Sequence, residues 1–157
     1  MKIKLIAIGK TDNSALQALI EDYKKSLSFY IKFEMDVIAD IKNVKNLSEA
    51  QQKEKEGELI LSKISPIDHL VLLDENGKSF SSVSFSEELQ KKMNAGIKTL
   101  VFVIGGPYGF SDQVYAKANG KISLSQMTFS HQMVRLFFIE QVYRGFTILK
   151  NEPYHHQ

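Results

Sequence analysis

The chain has 157 residues, with 20 Lys and Arg against 18 Asp and Glu and a formal net charge of +2. It contains no cysteine, which excludes disulfides, thiolate metal sites and cysteine nucleophiles and is typical of proteins from a reducing cytoplasm. The amino-terminal segment is too charged, and its apolar run too short, for a signal peptide or a membrane span. We therefore expect one cytoplasmic domain over residues 1–157 that does not contact a membrane.

Predicted strands and helices alternate along the chain, which is the pattern of an α/β fold with a mostly parallel sheet. The expected strands are Lys2–Ile8, Ile31–Ile38, His69–Leu73, Thr99–Ile104 and Lys121–Ser125. The expected helices begin at the capping residues Asn13 or Ser14, Ser48, Ser86, Ser111 and Ser130. Between the third strand and the third helix, the polar run Asp74-Glu75-Asn76-Gly77 predicts a tight turn.

The strand that begins at Thr99 is followed directly by a glycine-rich turn. Leu100–Ile104 has no polar break, as expected for a strand covered on both faces. Gly105, Gly106 and Gly109 then allow the backbone to approach a ligand closely. Ligands of parallel sheets bind at this end of the strands, but the turn does not match the dinucleotide-binding pattern Gly-x-Gly-x-x-Gly. It predicts a neutral ligand group held by backbone atoms.

The last predicted helix, which runs to about Lys150, is apolar on every side at Leu136–Ile139. A surface helix usually carries a single apolar stripe. Two interpretations stay open: a central core helix, or a helix shared with a second subunit.

The histidines show no metal-ligand spacing, so no metal is expected. His69 is interpreted as a strand-end residue, whereas His131 follows the loop 124–130 and is equally compatible with a structural role and with a site. Arg135 and Arg144 could each face solvent or a phosphate. The mild overall charge indicates no concentrated nucleic-acid surface.

Four ordered motifs, together with the length of the chain, resemble the large-subunit ribosomal RNA methyltransferase H family. They are Val-Ile-Gly-Gly-Pro-Tyr-Gly-Phe at 103–110, Leu-Ser-Gln-Met-Thr-Phe-Ser-His-Gln-Met-Val-Arg at 124–135, Glu-Gln-Val-Tyr-Arg-Gly at 140–145 and Pro-Tyr-His-His at 153–156. Members of that family are SPOUT-class enzymes that methylate N3 of a pseudouridine in 23S rRNA.

The resemblance implies a fold, a cofactor and a partner that spacing alone does not reveal. The fold would be a SPOUT-type parallel sheet with helices on both faces and a C-terminal trefoil knot, and the protein would be a homodimer. The cofactor would be S-adenosylmethionine. Its expected contacts are Leu73, Gly105, Leu124, Ser125, Gln126, Met127, Thr128 and Phe129.

The resemblance also implies a substrate site, with 23S rRNA in the helix 69 region of the assembled 70S ribosome as the substrate. The expected catalytic residues are His155, Tyr154 and Arg144, with His155 as proton acceptor because histidine exchanges protons near neutral pH. The expected RNA contacts are Arg135, Arg144, His131 and His156. His156 stands where the family usually has a basic residue, which weakens the positive charge of the tail.

Three alternatives remain compatible with the sequence. The chain could be another SPOUT enzyme that methylates tRNA or a ribose 2′-OH. It could be a ribosome-associated module that binds S-adenosylmethionine without transferring its methyl group. A flavodoxin-like nucleotide binder would need a phosphate site near residues 9–14, where the loop is short and poor in glycine.

Overall fold

A computed structural model describes residues 1–156. The strands are β1 (Lys2–Ile8), β2 (Lys32–Ile38), β3 (His69–Ser79), β4 (Thr99–Ile104) and β5 (Gly120–Ser123). The helices are α1 (Ser14–Leu27), α2 (Glu49–Ser62), α3 (Ser82–Asn94), α4 (Asp112–Lys117) and α5 (Met133–Leu149), with a 3-10 turn at Val44–Asn46.

The five strands form one sheet in the order β2-β1-β4-β3-β5, and every neighbouring pair is parallel. In the centre of the sheet, Leu5 of β1 pairs with Met35 of β2 and with Phe102 of β4. The parallel sheet predicted from the alternation of strands and helices is therefore confirmed. Because all strands run the same way, their carboxyl ends and the loops that follow them meet at one edge.

Side chains alternate between the two faces of the sheet along each strand and form two hydrophobic cores, one on each face. Leu100 and Phe102 pack with apolar residues of α1, α3 and α5. Val101 and Val103 point to the opposite face and pack with Ile60 of α2 and with α4. The helices therefore cover both faces, as expected, and β4 is buried on both sides.

Strands β2 and β5 differ from the predicted bounds by one or two residues, and two boundaries differ more strongly. The segment predicted as a tight turn lies inside β3, which continues to Ser79. Ile122 is paired with both Leu73 and Lys78, so the residues between these two bulge out of the ladder. Helix α3 begins at Ser82 and is capped by Ser81, whereas the predicted cap, Ser86, lies inside the helix. Several serines in this segment are compatible with capping, and local sequence does not distinguish among them.

Helix α5 has one buried side and one partly open side. Phe138 and Ile139 are fully buried against the sheet, whereas Phe137 is 38% exposed in the single chain. The Met133 N–H donates to Ser130 Oγ at 3.1 Å, so Ser130 caps the first turn although the helix itself starts at Met133. The core interpretation of α5 holds for its inner side, and its outer side leaves room for a second subunit.

Candidate active site

A cavity of about 1060 Å³ lies at the carboxyl edge of the sheet, between the ends of the strands and the loops that follow them. It is lined by all eight residues expected to contact the cofactor: Leu73, Gly105, Leu124, Ser125, Gln126, Met127, Thr128 and Phe129. These residues come from three segments that are distant in sequence. The order of the parallel strands brings them together, since β3 lies between β4 and β5.

The glycine turn after β4 forms one wall of the cavity. The Gly109 N–H donates to the Gly106 carbonyl at 3.2 Å, and Gly109 has a φ of +78°, a conformation that favours glycine. A Cβ on Gly105 would lie 3.1 Å from the buried Phe110 ring. A side chain would be crowded at Gly105 and strained at Gly109, so at these two positions the turn presents backbone atoms to a ligand.

The loop after β5 forms the opposite wall and is shaped by its own hydrogen bonds. Ser123 Oγ donates to the Ser125 carbonyl at 3.0 Å, and the Met127 N–H donates to Ser125 Oγ at 2.9 Å. Phe129 packs against Phe137 of α5, with 4.9 Å between ring centroids. Met127 remains 77% exposed at the cavity. The loop thus offers apolar surface, suited to a flat ring, between polar backbone groups.

The charged side chains that line the cavity are mostly acidic. They are Asp40, Glu49, Glu56, Asp74 and Glu75, against Lys53. The Tyr115 hydroxyl donates to Asp74, and burial together with this hydrogen bond raises the pKa of Tyr115 to about 12. Burial raises the pKa of the Glu56 carboxyl above its usual value. This charge favours a cationic ligand and opposes a phosphate, in agreement with the glycine pattern.

A second polar cluster, the tail cluster, is formed by the carboxyl-terminal part of α5 and the tail that follows it, residues 150–156. Arg144 Nε donates to Glu140 Oε1 at 3.0 Å, and this contact raises the pKa of Arg144. The Tyr154 hydroxyl donates to the same oxygen at 2.9 Å and lies 3.0 Å from the Tyr23 hydroxyl. Arg144 Nη1 is 3.3 Å from His155 Nδ1. The three residues expected to be catalytic are therefore neighbours.

Tyr154 is held as a neutral phenol in this cluster. Burial, with hydrogen bonds to Tyr23 and Glu140, keeps the pKa of Tyr154 well above its usual value of 10. The Arg144 guanidinium lies over the Tyr154 ring, 4.7 Å from the centroid. Tyr154 is accordingly suited to donating a hydrogen bond and to anchoring the tail, and unsuited to accepting a proton.

The cavity and the tail cluster are separate within one chain. Val134 lines the cavity, and Arg144 lies ten residues further along α5, about 15 Å at the usual helical rise. Within the described part of the chain, Arg144, Tyr154 and His155 are not among the cavity-lining residues. A single chain therefore does not bring the expected catalytic residues to the expected cofactor site.

Of the four residues expected to contact RNA, one is in the wrong place. Arg135 is fully buried: its guanidinium donates to the carbonyls of Ile8 at 2.7 Å and His131 at 3.0 Å, and to Thr11 Oγ1 at 2.9 Å. Burial lowers its pKa, although Asp40 and Asp12 partly oppose this. Arg135 ties α5 to the loop after β1 and offers no surface to a phosphate, so we do not retain it as an RNA contact.

The other three expected RNA contacts are accessible. His131 is exposed and lines the cavity, and His156 is exposed in the tail. The Arg144 side chain is 25% exposed and ion-paired. His69 lies at the start of β3, at the opposite edge of the sheet from the cavity, in agreement with its interpretation as a strand-end residue.

Sequence reasoning missed the acidic residues of the cavity. Glu56 lies in a helix with many charged positions, and no spacing marks it as different from its neighbours. Among residues 1–156, no group of His, Cys, Asp or Glu is arranged to hold a metal ion. No helix in the same range is both long and apolar enough to cross a membrane.

Comparison with known proteins identifies the family. A family model described as "Predicted SPOUT methyltransferase" matches residues 1–155. Proteins named ribosomal RNA large subunit methyltransferase H from Flavobacterium psychrophilum and Flavobacterium johnsoniae are 83% and 80% identical to the chain, over 100% of both sequences. The protein of that name from Bacteroides thetaiotaomicron is 54% identical, again over 100% of both. The chain therefore belongs to the SPOUT methyltransferase family, which excludes the flavodoxin-like alternative.

Proposed function

We propose that this chain is a cytoplasmic methyltransferase that uses S-adenosylmethionine to methylate N3 of a pseudouridine in 23S rRNA, in the helix 69 region of the assembled 70S ribosome. The observation that carries the proposal is the convergence of all eight expected cofactor contacts on one cavity. The names of its full-length relatives support rRNA as the substrate.

The residues of the cavity fit the proposed cofactor. When bound, S-adenosylmethionine supplies a methyl group on a positively charged sulfur. The carboxylates of the cavity suit that charge, and the glycine turn lacks the features of a phosphate site. Met127 and Phe129 offer apolar surface for an adenine ring. Backbone N–H and C=O groups of the loops can form hydrogen bonds with the edge of that ring. We place the expected trefoil knot in the segment from β4 to α5, which contains the loops that form this cavity.

The chain's contribution to the reaction is positioning and one proton transfer. The bound cofactor would supply an electrophilic methyl group with sulfur as the leaving group, and the chain's residues would hold N3 in line with it and take up the N3 proton. Holding the two reacting groups in line supplies roughly 7–11 kcal/mol of the barrier reduction in well-oriented reactions. His155 accepts the proton, Arg144 contacts the RNA, and Tyr154 anchors the tail through Glu140.

A homodimer completes the site in this proposal. The cavity and the tail cluster lie apart in one chain, so the tail of one copy would have to reach the cavity of the other. The partly exposed outer side of α5, with Phe137, is a suitable subunit contact. A composite site of this kind also explains the mild net charge, because an enzyme that docks on a ribosome needs no strong basic surface of its own.

The deciding experiment is transfer of label from S-adenosylmethionine to 70S ribosomes, separated subunits, bare 23S rRNA and tRNA from cells that lack the protein. We expect label in the 23S rRNA of 70S particles, at N3 of a pseudouridine. Label only in tRNA or on a ribose 2′-OH would support a different SPOUT enzyme. Binding of the cofactor without transfer to any RNA would support the non-catalytic module.

A further inference from the structure

Glu56 of α2 is a buried carboxyl group behind the glycine turn. It is 4% exposed, and Gln52 Nε2 donates to its Oε1 at 3.0 Å. Its other oxygen, Oε2, faces the turn so closely that a Cβ on Gly106 would lie only 2.3 Å from it. Oε2 has no hydrogen-bond partner among residues 1–156. Half of a buried carboxylate is thus left uncompensated at the wall of the cavity.

Nothing in the described chain neutralises this group. Glu56 forms no ion pair among residues 1–156, and the charge that shifts its pKa, that of Asp40, is also negative. A buried carboxylate without a cationic partner costs stability, and a neutral side chain of the same shape would cost less. The charge of Glu56 is therefore best explained by a cation that occupies the cavity.

The proposed cofactor and its product differ by one charge. S-adenosylmethionine carries a sulfonium, whereas S-adenosylhomocysteine, which remains after methyl transfer, has an uncharged sulfur. The two molecules are otherwise alike in shape, so contacts with adenine and ribose cannot separate them. A negative charge in a low-dielectric wall distinguishes them well, because it acts over several ångströms without direct contact.

We propose that Glu56 is a specificity-determining residue whose negative charge, behind Gly106, makes the cavity bind S-adenosylmethionine, with its sulfonium, in preference to net-neutral S-adenosylhomocysteine. The proposal rests on the proposed function. The attraction between the Glu56 carboxylate and the sulfonium disappears when the methyl group is transferred. Glu56 would therefore also favour the exchange of product for new cofactor.

The test compares binding of three ligands to the full-length wild type and to Glu56→Gln by calorimetry at pH 8. The ligands are S-adenosylmethionine, S-adenosylhomocysteine and sinefungin, an analogue with an ammonium group near the sulfonium position. We expect Glu56→Gln to weaken the two cationic ligands about tenfold and to leave S-adenosylhomocysteine within about twofold. Glu58→Gln removes the same charge from an exposed position of α2 and should change none of the three.

Equal weakening of all three ligands by Glu56→Gln would overturn the proposal, because Glu56 would then act on a group that the three ligands share, such as the α-ammonium, or would only shape the wall. Glu56→Asp keeps the charge and should keep the preference for the cationic ligands. If Glu56→Gln does not fold, the wild type remains decisive: equal affinity for S-adenosylmethionine and S-adenosylhomocysteine contradicts the proposal. A wild type that binds neither molecule would instead contradict the proposed function.

Discussion

Arg144 and Glu140, one turn apart on α5, are joined by two hydrogen bonds to a single carboxylate oxygen. Arg144 Nε and Nη2 both donate to Glu140 Oε1, at 3.0 and 2.5 Å. The same oxygen accepts from the Tyr154 hydroxyl. Glu140 therefore fixes the direction of Arg144 and attaches the tail to the helix, which places His155 beside the guanidinium.

Glu140→Gln should lower kcat for methyl transfer about ten- to hundredfold and leave S-adenosylmethionine affinity unchanged. The change removes the charge that holds Arg144 and Tyr154, and it alters none of the residues proposed to contact the cofactor. Single-turnover transfer and cofactor binding are measured separately. The control is Glu88→Gln, which breaks an ion pair with Lys91 on α3 and should change neither quantity. An unchanged kcat in Glu140→Gln would contradict the assignment.

His155→Ala should reduce kcat by about hundredfold or more, the usual range for loss of a proton acceptor. Its neighbour His156 is a proposed RNA contact, so His156→Ala should raise KM for ribosomes with little change in kcat. Steady-state kinetics on 70S particles separate the two effects. A normal kcat for His155→Ala would remove His155 as the base.

Arg135→Met should destabilise the protein by about 3–5 kcal/mol, because it breaks a buried polar network that links α5 to the loop after β1. Thr11→Val removes one acceptor of that network and should cost about 1 kcal/mol. Urea unfolding measures both changes. Hydrogen exchange of residues 124–130 should accelerate in Arg135→Met, since the His131 carbonyl loses its partner. A loss below 1 kcal/mol for Arg135→Met would show that the network contributes little.

Gly77→Ala should lower thermal stability and weaken S-adenosylmethionine binding together. A Cβ on Gly77 would lie 2.4 Å from the backbone of Ile122, so β5 would have to move away from β3. The loop 124–130, which is proposed to contact the cofactor, follows β5 directly, and the expected loss of stability is about 1–3 kcal/mol. Gly120→Ala is the matched control, because a Cβ at that position meets nothing within 4 Å. Similar effects of both substitutions would contradict this explanation.

Glu56→Gln should be more stable than the wild type, and the difference should grow with pH. Burial raises the pKa of Glu56 above its usual 4.5, so the folded state retains the proton to higher pH than the unfolded chain. The free energy of unfolding of the wild type therefore falls as pH rises from about 4.5 through the folded pKa. Glutamine does not titrate, so the gain is largest at neutral pH and above. Thermal unfolding of both proteins at pH 4 and pH 8 measures this difference in stability. A larger stabilisation by Glu56→Gln at pH 4 than at pH 8 would contradict the prediction.

Much of the fold is encoded in local pattern. The strands from Lys2 and from Thr99 occur where apolar runs predict them, because a strand buried on both faces must be apolar throughout. Ser48 and Ser111 cap helices as expected, since their side chains bond groups only three residues away. The expected cofactor contacts follow from resemblance to a family, and periodicity alone does not distinguish them.

The sequence by itself thus determined the elements, their parallel arrangement and, through its motifs, the segments of the cavity. Tertiary structure alone decided which polar groups are buried. Arg135 meets Ile8 and Thr11, and Tyr154 meets Tyr23, across more than a hundred residues of chain. Neither burial nor charge environment follows from a residue's neighbours in sequence when helices pack on both faces of a sheet. For the same reason the isolated carboxylate of Glu56 became visible only in the folded protein.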